Sequence, residues 1–241
     1  MRNITLLSMF NNATGYLPRY FAQVVALRDE LDETNAGSLH LILVEGDSTD
    51  ATWHELQRGM TEHGLSGKLW QHHHGQPLRR GTGHPDRLAN LSRIWNPMLD
   101  AVPESADMVV IVESDLVWEP ATMLELLWRS EDGNIHCPMV WLGNIFYDTF
   151  LYRRHGQCFT NSLPYHPDLV MGEPLELDSA GSCLVMPGRV ARQHRTTERE
   201  ELMGLCHSAR ARGCKVILDS DLSIQQPRAQ WVGAKPLEAV V

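Results

Sequence analysis

In the stretch MVVIVESDLVWEP (residues 108–120), a run of apolar, β-branched residues ends in two carboxylates one residue apart, Glu113 and Asp115. The run has the character of a strand covered on both faces, and such strands ordinarily end in turn residues rather than in charge. Along an extended chain, side chains at i and i+2 share a face, so Glu113 and Asp115 can converge on one hard cation, Mn²⁺ or Mg²⁺. Two oxygen ligands leave positions open for phosphate oxygens, the usual arrangement in nucleotide chemistry. The competing reading is an acidic turn after a core strand, with Trp118 and Pro120 opening the next helix. A second acidic strand end, VEGDSTDAT (residues 44–52), sets Glu45 and Asp47 where open α/β sheets bind ligands. Glu45 there either accepts hydrogen bonds from a base or ribose or simply closes the turn, while Asp50 reads as a cap for the following helix. His72 and His74 would share a face of an extended segment, but no carboxylate or cysteine stands at a ligand spacing from them.

The elements that must position these groups alternate. Residues 3–10 read as a strand, followed by Leu17, Tyr20, Phe21, Val24, Leu27 and Leu31 at helical spacing. Residues 39–44 and 51–63 repeat the strand–helix pair, and 68–71 form a third strand before a long loop, 72–85, rich in Gly, His and Arg. Leu88, Leu91, Trp95, Met98, Leu99 and Val102 make a helical stripe that Pro97 should bend. The strand carrying Glu113 and a helix through Met123, Leu124, Leu126 and Leu127 complete an alternation that predicts an α/β fold, a parallel-centred sheet flanked by helices. In the second half, residues 134–141, 182–186 and 215–218 are strand candidates, and Thr197 to Glu200 offers a capping box for a helix through Leu202, Leu205, Cys206 and Ala209.

At 241 residues, with 43% hydrophobic residues and 21% charged residues, the chain suits one compact domain over residues 1–228 with a C-terminal extension over 229–241. No apolar run reaches the length of a membrane span, and the N-terminus reads as a strand rather than a secretory leader. Five cysteines without a C-x-x-C spacing argue against a disulfide framework and for a reducing, cytoplasmic location. The net charge of −9 disfavours broad capture of nucleic acid.

With these residues in place, VEGDSTDAT resembles the second-strand motif of GT-A (Rossmann-like) glycosyltransferases, and the E-x-D of VESDLVWEP resembles their D-x-D metal motif. More narrowly, NNATGYLPRYF (11–21), RLANLSRIWNPML (87–99), SDLVW (114–118) and FYDTFLYRR (146–154) resemble the fungal capsule-associated α-1,3-mannosyltransferase family, and the acidic strand also resembles the Golgi mannan mannosyltransferases. The chain departs from that family in having no N-terminal anchor, in carrying Trp95 where arginine is expected, and in offering Gln225 and Gln226 near the place of a third, histidine ligand.

The resemblance implies a metal-dependent transfer of a sugar from a GDP- or UDP-sugar to an acceptor hydroxyl, with retention of configuration. It makes Asp115 a metal ligand, Glu113 a contact to metal or ribose, and Glu45, with Asp47 beside it, a contact to the nucleoside. Arg87 and Arg93 would pair with the diphosphate through the guanidinium fork, the alternative being surface charge. Asp148 would hold a sugar hydroxyl or else cap a turn; Asp178 would touch sugar or acceptor, and would serve as the base were the reaction inverting. The acceptor is a saccharide, a lipid-linked intermediate, a protein or a hydroxymethylated base of phage DNA. A sugar nucleotidyltransferase and a non-catalytic sugar-nucleotide binder are the competing classes. The single glycine in residues 11–15 counts against the first of these.

Overall fold

The computed structural model describes residues 2–75 and 83–227. Its first half alternates as the sequence predicts: β1 (Arg2–Phe10), α1 (Leu17–Glu33), β2 (Gly37–Gly46), α2 (Thr52–Glu62), β3 (Gly67–His72), α3 (Pro85–Asp100), β4 (Met108–Val112) and α4 (Pro120–Arg129). The second half contains β5 (Ile135–Leu142), β6 (Ile145–Phe146), β7 (Arg153–Arg154), β8 (Gln157–Cys158), β9 (Pro174–Leu177), β10 (Cys183–Pro187), α5 (Gly188–Gln193), α6 (Leu202–Arg210) and β11 (Val216–Gln225). The stripes that predicted the helices are the faces that pack: Leu17, Tyr20, Phe21, Val24, Leu27 and Leu31 of α1 are all buried, as are Leu88, Trp95, Met98 and Leu99 of α3. The middle of the sheet is fully apolar, with every residue of β4 buried.

The main sheet has the order β3-β2-β1-β4-β10-β5-β11-β9, with β6 added to β5. β3, β2, β1 and β4 are parallel. β10 is antiparallel to both β4 and β5, so β4 and β5 run the same way, and β11 is parallel to β5. The carboxyl ends of β1, β2, β4, β5 and β11 therefore open on one edge, and the start of β10 enters at that edge opposite Val112. This is the side on which open α/β sheets bind ligands.

Several differences from the sequence reading have physical causes. α3 continues through Pro97 as one helix. The last strand is longer than residues 215–218 and shifts register between Asp219 and Ser223, where Asp219 accepts from Arg129 and His136 at 2.9 and 2.8 Å; polar side chains at such a bulge break the alternation that sequence patterning depends on. The Thr197 to Glu200 segment closes a turn, with Thr197 Oγ1 accepting from Glu200 N at 3.1 Å, but α6 begins only at Leu202 with Glu201 at its N-cap. β9 and α5, of 4 and 6 residues, are too short to carry a periodicity signal. The proposed extension, residues 229–241, lies outside the described residues, as do residues 76–82 of the long loop.

α1 and α2 pack through a glycine: a Cβ at Gly59 would fall 2.2 Å from the Phe21 ring. Alanine ordinarily gains about 1 kcal/mol over glycine inside a helix, but here overpacking should dominate. Gly59→Ala is expected to lower unfolding stability by about 1–3 kcal/mol in urea titrations; a gain in stability would contradict this packing.

Candidate active site

The carboxylates that end β4 lie on the open edge. Glu113 N donates to Ser182 O at 2.8 Å, which joins the end of β4 to the loop entering β10. The Glu113 carboxylate is half-buried and accepts no hydrogen bond among the described residues. Asp115 Oδ2 accepts from Gln226 Nε2 at 2.8 Å, and Asp115 O accepts from Arg19 at 2.7 Å. Burial, then the charges of Asp115, Asp148 and Glu201, push the Glu113 pKa well above its ordinary value, against the opposing pull of Arg87. Asp115 is also raised, by burial, with the Gln226 hydrogen bond and the Arg19 and Arg87 charges opposing.

Three further groups converge on this pair. Asp148 is buried, and its oxygens accept from Leu151 N at 3.0 Å and Ser182 Oγ at 2.7 Å; burial raises its pKa. It thus caps a turn and ties that turn to the β10 entry. Arg87, in the first turn of α3, influences Glu113, Asp115, Tyr147 and Glu201 electrostatically, and its Nε is buried with no hydrogen-bond partner among the described residues. Glu201 is buried at the head of α6 in a left-handed conformation with φ 50. Its Oε1 accepts from Trp95 Nε1 at 2.9 Å, and burial lifts its pKa from 4.5 to about 7 despite that hydrogen bond and the Arg87 charge.

The end of β2 is already well tied. Buried Glu45 accepts from Ser48 N and from Gln71 Nε2, both at 2.7 Å. Asp47 accepts from His74 N at 2.7 Å, Gly75 N at 3.2 Å and His73 Nδ1 at 3.1 Å; burial alone would raise its pKa, but these hydrogen bonds outweigh it and the pKa is lowered. Asp50 accepts from Thr52 N at 3.0 Å and from Thr14 N at 3.2 Å, so it joins the first two βα turns. The rings of His72 and His74 meet edge to face at 4.5 Å, as their spacing predicts.

Two predicted contacts are engaged in other ways. Arg93 pairs with Glu198 at 3.0 Å with both side chains more than half exposed, 56% and 61%, a surface pair of small worth. Asp178 accepts from Gly156 N at 2.7 Å and pairs with Arg210 at 2.9 Å. Glu201 carried only a weak signal in sequence, one acidic residue among several before an amphipathic run. What distinguishes it is a contact with Trp95, 106 residues away.

Comparison with known proteins agrees on the fold. No protein-family model and no curated protein matches the sequence. Among solved structures, residues 1–349 of S. aureus TarS superpose with a TM-score of 0.56 at 12% identity over 94% of this chain, and GalNAc-T7 in complex with UDP, GalNAc and Mn²⁺ with a TM-score of 0.58 at 10% identity over 98%. The chain has the GT-A fold. It spans 60% of the TarS fragment and 46% of GalNAc-T7. That TarS fragment has also been solved with UDP, and superposes with a TM-score of 0.52.

The donor atoms at the edge suit a hard divalent cation. Glu113 and Asp115 bring carboxylate oxygens, and Gln226, whose Nε2 is committed to Asp115, keeps a buried Oε1 with no hydrogen-bond partner among the described residues. No group of three or more His, Cys, Asp or Glu able to hold a metal occurs among the described residues, so remaining positions would fall to phosphate oxygens and water.

The raised pKa of Glu201 sets a pH dependence. A carboxyl whose folded pKa lies above its unfolded value contributes stability that is complete below about 4.5 and is lost as pH rises through about 7. Glu201→Gln, which keeps an acceptor for Trp95, should therefore unfold like the parent near pH 4.5 and be more stable by about 2–3 kcal/mol at pH 8. Equal stability at both pH values, measured by urea unfolding, would contradict this assignment.

Proposed function

We propose that this chain is a glycosyltransferase that moves a sugar from a nucleoside diphosphate sugar, with UDP or GDP as the nucleotide, to an acceptor hydroxyl, using Mn²⁺ or Mg²⁺ held by Asp115 and Glu113. The observation that carries this reading is the meeting of two strand-end carboxylates, whose pKa values burial raises, with a buried Arg87 Nε that has no hydrogen-bond partner among the described residues, on the ligand-binding edge of a GT-A sheet. The UDP complexes of TarS and GalNAc-T7 support a uridine nucleotide. The resemblance to fungal mannosyltransferases supports a guanosine one.

The carboxylates are costly to ionise together, and a divalent cation relieves that cost while neutralising charge that gathers on the departing diphosphate. Arg87 adds a guanidinium whose Nε has no competing partner among the described residues, so it can meet a phosphate oxygen there. Glu45 and Asp47 shape the nucleoside end by holding the loops at the ends of β2 and β3. Arg93 lends long-range positive charge to the diphosphate.

For the acceptor, Glu201 is the base this reading favours over Asp178. Its pKa of about 7 lets it take a proton from a hydroxyl at neutral pH, whereas Asp178 is held by Arg210. This supports inversion rather than the retention that the family resemblance implies. Asp148 fixes the loop between the two carboxylate groups. No helix among the described residues is long and apolar enough to cross a membrane, and all five cysteines are unpaired, which supports a cytoplasmic setting.

Donor hydrolysis measured with UDP- and GDP-sugars in Mn²⁺ tests the proposal. Turnover should vanish in excess chelator, and Asp115→Ala should lose about 10²-fold or more in kcat without a fall in Tm, since one of the repelling charges is gone. Full activity in chelator would refute the metal role, and tight nucleotide binding without turnover would identify a binding protein.

A further inference from the structure

Trp141 stands at the end of β5, and its carbonyl accepts from Gln226 N at 2.7 Å. Gln226 in turn donates through Nε2 to Asp115 at 2.8 Å, so one residue links this tryptophan to the acidic edge. The Trp141 ring meets Tyr165 at 5.3 Å and 71°, and Phe146 at 6.1 Å and 89°. Phe146 is fully buried and packs on Tyr152 and Phe159 at 5.1 and 5.3 Å, which gives the two upper rings a rigid base. Trp141 and Tyr165 are themselves half-exposed. Neither the indole N–H nor the Tyr165 hydroxyl has a hydrogen-bond partner among the described residues.

Tyr165 adopts a left-handed backbone at φ 62, a conformation costly for an aromatic residue and kept only where the surroundings impose it. Those constraints are visible: Tyr165 N donates to Ser162 O at 2.8 Å, and Tyr165 O accepts from Thr160 N at 2.7 Å. Tyr147, just past Phe146, feels the charges of Glu113, Asp115 and Asp148, so this segment lies within reach of the acidic edge. Exposed Ile145, Leu163, Val170 and Met171 belong to the same segment between β5 and β9.

We propose that Trp141 and Tyr165 form the acceptor subsite and that the acceptor is an uncharged saccharide, its pyranose ring packed into the corner between the two aromatic faces. This rests on the glycosyltransferase reading above and adds the acceptor class to it. A pyranose offers an apolar C–H face for the rings and a rim of hydroxyls for the unpartnered indole N–H and phenol, the combination amphipathic aromatic side chains recognise. A polyanionic acceptor fits less well, because the shelf adjoins an acidic group on a chain of net charge −9.

The test uses saturation-transfer NMR on the full chain with UDP and Mn²⁺ present. The probes are the methyl α- and β-glycosides of glucose, galactose, mannose and N-acetylglucosamine, and a short oligonucleotide carrying hydroxymethylcytosine. At least one glycoside should receive saturation on its ring C–H protons, and its affinity should fall about tenfold or more in Trp141→Ala and in Tyr165→Ala. Trp141→Phe should recover part of it. UDP affinity, measured by calorimetry in the same variants, should be unchanged. Tyr165→Ala serves as the independent probe should Trp141→Ala unfold.

Glycoside binding that survives both substitutions, no glycoside binding at all, or saturation of the oligonucleotide base instead would overturn the proposal. Absence of both UDP and GDP binding in the parent protein would instead strike the glycosyltransferase reading itself.

Discussion

The burial of several carboxyls at one sheet edge is the constraint on which the site depends. Asp115, Asp148 and Glu201 all raise the pKa of Glu113, Asp148 raises that of Glu201, and the charges of Arg87 and Arg19 only partly offset the burial of the group. A fold that aimed only at stability would not gather these groups. Their raised pKa values mean that the native state gives up stability at neutral pH to keep the carboxylates together, and the proposed cation, arriving with a diphosphate, would recover part of it. Burial, with a smaller push from Asp148, likewise prepares Glu201 to hold or release a proton near neutrality, so in the proposed reaction one buried acidic group would serve both the leaving group and the acceptor.

The sheet makes this concentration possible. Because β10 runs against both β4 and β5, the ends of β4, β5 and β11 open at one edge, and the loop into β10 meets them there. Ser182 joins two of the acidic segments, its carbonyl accepting from Glu113 N and its hydroxyl donating to Asp148. Gln226 joins the end of β5 to the acidic end of β4, binding Trp141 through its backbone and Asp115 through its side chain. α3 and α6 then bring Arg87 and Glu201 to the group, and the Trp95 hydrogen bond sets where the Glu201 carboxyl lies.

The parts of this that could be read in sequence are those whose cause is local. A β-branched run ending in E-x-D marks a buried strand and its chemistry, and the helical stripe of α1 marks a face that must pack. Glu201 was not legible, because its burial follows from the segment leading into α6 docking on α3 rather than from any neighbour in sequence. Glu45 and Asp178 show the converse: both were correctly seen as carboxylates at loop boundaries, yet their partners, Gln71 and Arg210, are set by tertiary packing. The bulged end of β11 escaped because Asp219 and Ser220 are buried polar residues in a strand, and polar patterning there reports the Arg129 and His136 contacts instead of solvent.

Proton release on ligand binding tests the central electrostatic claim most directly. If the strand-end carboxyls, whose pKa values burial raises, give up protons to a cation, Mn²⁺ and UDP or GDP binding together should release protons at mildly acidic pH, read by calorimetry in buffers of different ionisation enthalpy, and Asp115→Asn should diminish that release. Metal and nucleotide binding of full affinity with no proton released from the parent protein would contradict the account.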